Sequence, residues 1–173
     1  STQKAWGLPA GFSIASISDR LMERSKKIQN KGYFLDLEIY DKYYKKWQTP
    51  VTPSIPHLYG IKYVLNKIAE EGLENRWKRH LKSGNITREW AIDHGQNLFP
   101  ESKCFSPTIT CVKNIKNWPI NKINEKLLQR GYRMDRGYGK LRGKAFRIAH
   151  MGNIFPDDLK KYLNEFDNVI HQL

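Results

Sequence analysis

Apolar residues recur along this chain with two different periods, and each period predicts an element. In residues 12–18, Phe12, Ile14 and Ile17 stand among small residues in near-alternation, which predicts a strand. Ser18-Asp19 reads as a helix start, with Leu21 and Met22 on the apolar side of the turns that follow. Residues 35–47 predict a second helix carrying Leu37, Ile39, Tyr40, Tyr43 and Tyr44, an aromatic stripe expected to pack. Two prolines punctuate the turn at 48–53. Beyond it, Leu58, Ile61, Val64, Leu65 and Ile68 keep helical spacing up to Gly72, the clearest helix in the chain. Another helix opens at Leu73 and runs toward Gly95, with an interruption or weakening expected near Ser83-Gly84-Asn85. Its cluster Arg76, Trp77, Lys78, Arg79 and His80 reads as a solvated face.

From Phe99 onward the pattern becomes alternating strands and helices. Residues 107–113 predict a strand with Ile109 and Cys111 on one face, Cys111 being read as a small core residue. Residues 119–130 predict a helix with Ile123 and Leu127 inward and Gly131 closing it. Residues 144–149 predict a strand in which Arg147 faces away from Phe146 and Ile148. A last helix shows Leu159, Tyr162, Leu163, Phe166, Val169 and Ile170 on its apolar side, with Asp157 and Asp158 at its positive N-terminal end.

Composition narrows what such a chain can do. Its 173 residues suffice for one domain with a core, or for a small domain plus part of another. Hydrophobic residues make up 39%, which argues against disorder. No apolar run approaches the roughly 20 residues of a membrane span, and no signal peptide is visible. The net charge of +13 is that of a nucleic-acid or anion binder, but the lysines are dispersed and the densest clusters are short, which argues against nucleic acid. A basic scaffold or nucleic-acid module remains the alternative from a different class. Cys104 and Cys111 form neither a CxxC motif nor a disulfide framework, so a reducing cytoplasm is expected. The five histidines show no metal-ligand spacing, and no metal is expected. His150 reads as structural.

Three segments carry candidate chemistry. The chain begins Ser1-Thr2-Gln3-Lys4-Ala5-Trp6-Gly7-Leu8-Pro9-Ala10-Gly11, a lysine followed by a glycine- and proline-bearing turn. Thr49-Pro50-Val51-Thr52-Pro53 presents hydroxyls between prolines. Gly137-Tyr138-Gly139-Lys140-Leu141-Arg142-Gly143 precedes Phe146-Arg147-Ile148-Ala149-His150-Met151-Gly152. A lysine amine can condense with an aldehyde and move protons once it is neutral. A hydroxyl and a backbone amide can donate to a phosphate, and a planar guanidinium grips a carboxylate with two parallel hydrogen bonds.

Together and in this order, these segments resemble the class V, fold-type I aminotransferases that use pyridoxal 5'-phosphate, and in particular the branch acting on serine or alanine with glyoxylate or pyruvate. The resemblance implies that Lys4 carries the cofactor as a Schiff base, that Gln3 and Thr52 bind its phosphate, and that Arg147 clamps the substrate carboxylate. It implies that Thr52 serves the neighbouring subunit of a homodimer with shared active sites. Some relatives carry a tyrosine where Thr49 stands. It further implies an α/β fold: residues 1–71 as the end of the large cofactor-binding domain, and residues 72–173 as a small α/β domain whose sheet is covered by helices. The expected reaction is ping-pong transfer from an amino acid to a 2-oxo acid, with a phosphoserine aminotransferase-like enzyme as the alternative within the fold. The family's phosphate-binding turn, ring-stacking aromatic and pyridine-pairing aspartate all precede the lysine, so the chain reads as the C-terminal part of a longer enzyme, inactive by itself.

Overall fold

Ser18 starts the first helix of the computed structural model, which describes residues 1–173: its hydroxyl accepts the Leu21 amide at 3.3 Å, an N-cap for α1 (Asp19–Lys26). Asp36 caps α2 (Leu37–Tyr44) in the same way, accepting the Glu38 amide at 3.0 Å. Lys31 joins the two helices' connection by ion pairs to Asp36 at 3.0 Å and Glu38 at 2.7 Å. Then α3 (Ile55–Glu71) follows the two-proline turn and stops at Gly72, whose φ of +81° suits glycine.

The chain divides into two compact units, Ser1–Val64 and Leu65–Leu173. That division falls within α3, which ends at Glu71. In the first unit, residues 12–18 pair with no strand. Alternation supplies a face but not a ladder, and the predicted strand is instead an extended, largely exposed segment. The aromatic stripe of α2 is also unlike the expectation: none of its residues is buried, and Tyr44 is 73% exposed.

The second unit is the expected α/β architecture. After α4 (Leu73–Asp93), three strands, β1 (Asn97–Leu98), β2 (Ile109–Lys113) and β3 (Ala145–Ala149), form an antiparallel sheet in the order β1-β2-β3. Between β2 and β3 lies α5 (Ile120–Gln129), and α6 (Pro156–Ile170) ends the fold. The core gathers Val112, Phe146 and Ile148 from the sheet, Trp90 and Ala91 from α4, Ile123 and Leu127 from α5, and Leu159, Leu163, Phe166 and Val169 from α6. Aromatic rings organise it. Trp90 meets Phe166 edge-on at 5.0 Å, and Phe146 stacks on Phe166 at 5.8 Å. Asp158 accepts the Phe155 amide at 3.2 Å and so caps α6, which begins with Pro156.

Two expectations for α4 are corrected. The helix runs unbroken through Gly84, where a side chain would meet the Arg88 guanidinium at 2.9 Å and His150 Cε1 at 3.2 Å. Glycine is there for close packing and not as a breaker. The expected solvated face is partly buried as well: Arg76 is 8% and His80 6% exposed, while Trp77 and Lys78 face outward. Arg79 grips Glu71 through Nε at 2.5 Å and Nη2 at 3.0 Å, and Arg76 adds a contact at 3.1 Å. The Arg79 and Arg76 guanidiniums hold the Glu71 carboxyl below its ordinary range. Arg79 also donates to the carbonyls of Gly152 and Ile154 and lies over the Phe155 ring, tying the entry of α6 to α4. No helix of the protein is long and apolar enough to cross a membrane.

Candidate functional site

Lys4 sits at the apex of a loop held from within. Thr2 is fully buried; its hydroxyl donates to the Pro9 carbonyl at 2.9 Å and lies 3.2 Å from that of Phe12, and its amide donates to Phe12 O at 3.1 Å. The Leu8 amide returns to Thr2 O at 3.1 Å, and the Gly7 amide closes a turn on Lys4 O at 3.0 Å with φ +65° at Gly7. A short polar residue thus takes the place a core side chain would have. Gln3 and Lys4 are exposed on this loop, and Lys4 makes no ion pair.

The loop is fixed to the start of α3 by His57. Its Nε2 lies 3.1 Å from Pro9 O and its Nδ1 2.7 Å from the Ser54 hydroxyl, while its ring stacks on Phe12 at 5.7 Å. Gly60, one turn further on, gives room to Leu8, since a Cβ there would lie 2.9 Å from Leu8 Cδ2. The exposed Thr52 lies two residues before Ser54. Lys4 and Thr52 therefore belong to loops that one imidazole holds together within the first unit. Thr49 is turned into its own loop, donating to Val51 O at 2.7 Å. Sequence reasoning missed His57, since a lone histidine on a helix carries no periodic signal.

Arg147 belongs to the second unit, on β3, with its neighbours Phe146 and Ile148 in the core as alternation predicts. It stands opposite Cys111 on β2. Cys111 is not a core residue: Thr110 and Val112 face inward, leaving Cys111 half-buried on the Arg147 face, where burial raises its thiol pKa against the lowering effect of the guanidinium. Arg147 is paired with Asp135, through Nε to Oδ1 at 3.0 Å and Nη2 to Oδ2 at 2.5 Å. Asp135 also accepts the Gly137 amide at 2.9 Å. These donors, Arg147 foremost, hold its carboxyl below the ordinary range, and the pair raises Arg147 in turn. Asp135 was not singled out from the sequence; the signal available was an acid just before the glycine-rich turn that leads into β3.

An open cleft of about 690 Å³ lies at Asp135, lined also by Arg133, Met134, Arg136, Tyr138 and Arg142, so its rim is strongly cationic. On the opposite face of the sheet, His150 is fully buried with Nε2 3.0 Å from the Thr110 hydroxyl. Burial, then the charges of Arg88 and His80, push His150 down to about 4, so it is neutral and structural near pH 7.

The chemical types at hand suit an aldehyde- and phosphate-bearing cofactor as far as they go. They comprise an exposed, unpaired amine on a braced loop, an amide side chain beside it, and a hydroxyl on the loop that the same imidazole holds. No protein-family model matches the chain. It is 37% identical over 155 residues to an uncharacterised aminotransferase of Methanocaldococcus jannaschii, covering 87% of this chain and 40% of that protein. It is 36% identical over 162 residues to serine–glyoxylate aminotransferase of Arabidopsis thaliana, covering 88% and 39%. The solved structure of alanine–glyoxylate aminotransferase from Nostoc sp. matches with a TM-score of 0.87 and 28% identity, covering 98% of this chain and 46% of that one. The chain thus spans about two fifths of the length of the curated relatives it matches.

Proposed function

Because sequence and fold relate this chain to the C-terminal part of the class V aminotransferases, we propose that the protein it belongs to transfers an amino group from an amino acid to a 2-oxo acid with pyridoxal 5'-phosphate held at Lys4. The donor is serine, alanine or a similar amino acid and the acceptor glyoxylate or pyruvate; serine, alanine and glyoxylate are the substrates that the relatives' names carry. When bound, the cofactor supplies an electron sink for the substrate's α-carbon.

The chain's own residues supply the rest. The Lys4 amine makes the covalent link and, once released, takes and returns the α-proton. Gln3 and Thr52 donate to the cofactor phosphate, Thr52 across a homodimer interface. Arg147 binds the α-carboxylate that amino donor and oxo acceptor share, so a single anchor serves both halves of a ping-pong cycle. Residues 1–71 are the end of the large domain and 72–173 the small one, in a cytoplasmic enzyme.

The observation that carries this reading is the braced loop: hydrogen bonds through Thr2 and His57 hold Lys4 at an apex where its amine has no competing partner. In the intact protein loaded with cofactor, borohydride reduction followed by peptide mapping places the pyridoxyl label on Lys4. Label on another lysine overturns the assignment, and a monomer in sedimentation with full activity overturns the shared site.

A further inference from the structure

Asp135 and Arg147 form more than a surface ion pair, because both residues are held by backbone as well as side chain. The Arg147 amide donates to Asp135 O at 3.3 Å, an isolated bridge beside the main ladder, so the two residues are registered before their side chains meet. The Asp135 carboxylate is then fixed by the Gly137 amide. Gly137 is required for that contact. Its φ is +81°, and a Cβ there would fall 2.4 Å from Ala145 O and 2.5 Å from Leu141 O, backbone atoms that cannot step aside cheaply. The turn delivers a carboxylate to one place, the Nε/Nη2 edge of Arg147.

A guanidinium has a second edge, Nη1 with the remaining Nη2 proton, equally able to take a carboxylate by two parallel bonds. In the structure Nη1 has no partner. A long arginine side chain, 41% exposed, would otherwise sample many rotamers and lose that freedom on each binding event. Asp135 removes the freedom beforehand and leaves the second edge open.

We propose that Asp135 is a positioning residue, holding Arg147 by its Nε/Nη2 edge so that the Nη1/Nη2 edge receives the substrate α-carboxylate. This rests on the reading of Arg147 as the carboxylate anchor. Two carboxylates then flank one guanidinium, the protein's own behind and the substrate's in front. The neighbouring Arg133, Arg136 and Arg142 offset the negative charge Asp135 brings to the cleft. Asp135 does not compete with substrate, because it occupies a different edge.

The test uses the intact, cofactor-loaded protein and the variants Asp135→Ala, Asp135→Asn and Arg147→Ala, with and without added formate. Asp135→Ala raises KM for both amino donor and oxo acceptor roughly tenfold, a modest figure because the pair is partly solvated. Its kcat stays within about twofold, since the cofactor and the proton-moving amine are untouched. The dissociation constant of an unreactive carboxylate inhibitor, followed by the cofactor's absorbance, rises in parallel. Formate, small enough to refill the space against Nε, Nη2 and the Gly137 amide, brings KM and the inhibitor constant of Asp135→Ala back toward wild type. Asp135→Asn keeps volume and one acceptor, and shows a smaller rise of about threefold without depending on refolding of an emptied turn.

Unchanged constants in Asp135→Ala and Asp135→Asn overturn the proposal, as does a raised KM that formate leaves untouched. A lowered KM overturns it in favour of competition. If Arg147→Ala itself leaves both KM values unchanged, the anchor reading fails instead, an outcome distinct from Arg147→Ala being impaired while Asp135→Ala is not.

Discussion

Ser1–Val64 and Leu65–Leu173 differ in what occupies their interiors. The second unit has a core built by three helices and two strands, in which rings from α4, α6, β3 and the segment before α5 interlock with Phe166 at their centre. The first unit buries one hydrophobic side chain, Val64, together with the hydroxyls of Thr2 and Ser25, while Tyr44, Tyr59, Tyr63 and Trp47 stand exposed. Its order comes from local polar bonds: helix caps, the Thr2 pin and the His57 bridge. Each such bond adds little net stability, about 0.5–1.5 kcal/mol, but fixes direction, whereas apolar burial adds energy without direction. A loop that must present an amine is served by the first kind of order, and a platform that holds an arginine on a strand by the second.

The largest effect is expected where the second unit's core is emptied. Phe166→Ala destabilises the chain by about 3–5 kcal/mol, read from the denaturation midpoint, because a fully enclosed ring leaves a cavity. A loss under about 1 kcal/mol would show that this core is no better packed than the first unit and would end the contrast.

Acid sensitivity sharpens the same contrast, since the first unit has no buried histidine. His150 is held neutral in the fold down to about pH 4. As pH falls through the unfolded value near 6.5, the unfolded chain takes up a proton the folded one refuses, and stability drops until the folded form protonates too. The loss between these limits is at most about 3 kcal/mol. His80, lowered chiefly by burial, adds in the same direction, so His150→Gln flattens the pH dependence of urea unfolding between pH 6.5 and 4 without abolishing it. Asp135 and Glu71 are held low by their arginines, and their contributions fade as pH falls below the ordinary carboxyl values, at the acid end of that window and beyond it. An unaltered slope in His150→Gln would place the acid-sensitive group elsewhere.

The smallest effect is expected at Trp47. This residue is 93% exposed with φ +57°, just after α2, where glycine is the ordinary choice. Trp47→Gly changes the chain's unfolding free energy by no more than about 1 kcal/mol, and upward, since relieving the left-handed backbone outweighs the packing lost. A marked destabilisation would mean that the first unit has a packed interior after all.

The helices were legible in the sequence wherever their support was local. The apolar spacing of α3 and its stop at Gly72, the cap at Ser18, and the inward stripe of α6 each depend on residues within a few positions of one another. The facing of Arg147 was legible for the same reason, since alternation along one strand sets it. What involved distant partners was not. Residues 12–18 alternate, yet a strand exists only if another backbone pairs with it. Which face of β2 is the core depends on the helices beneath it, so Cys111 and Thr110 exchanged roles. Arg76 and Arg79 left solvent because Glu71 lies at the turn where α3 meets α4, and the glycine at 84 marks the space that Arg88 and His150 fill, not a break in the helix. Asp135 found Arg147 twelve residues away only because the Gly137 turn folds it back beside β3. Periodicity records what one element does along its own axis; which groups lie against it is settled by hydrogen bonds and packing between elements far apart in the chain.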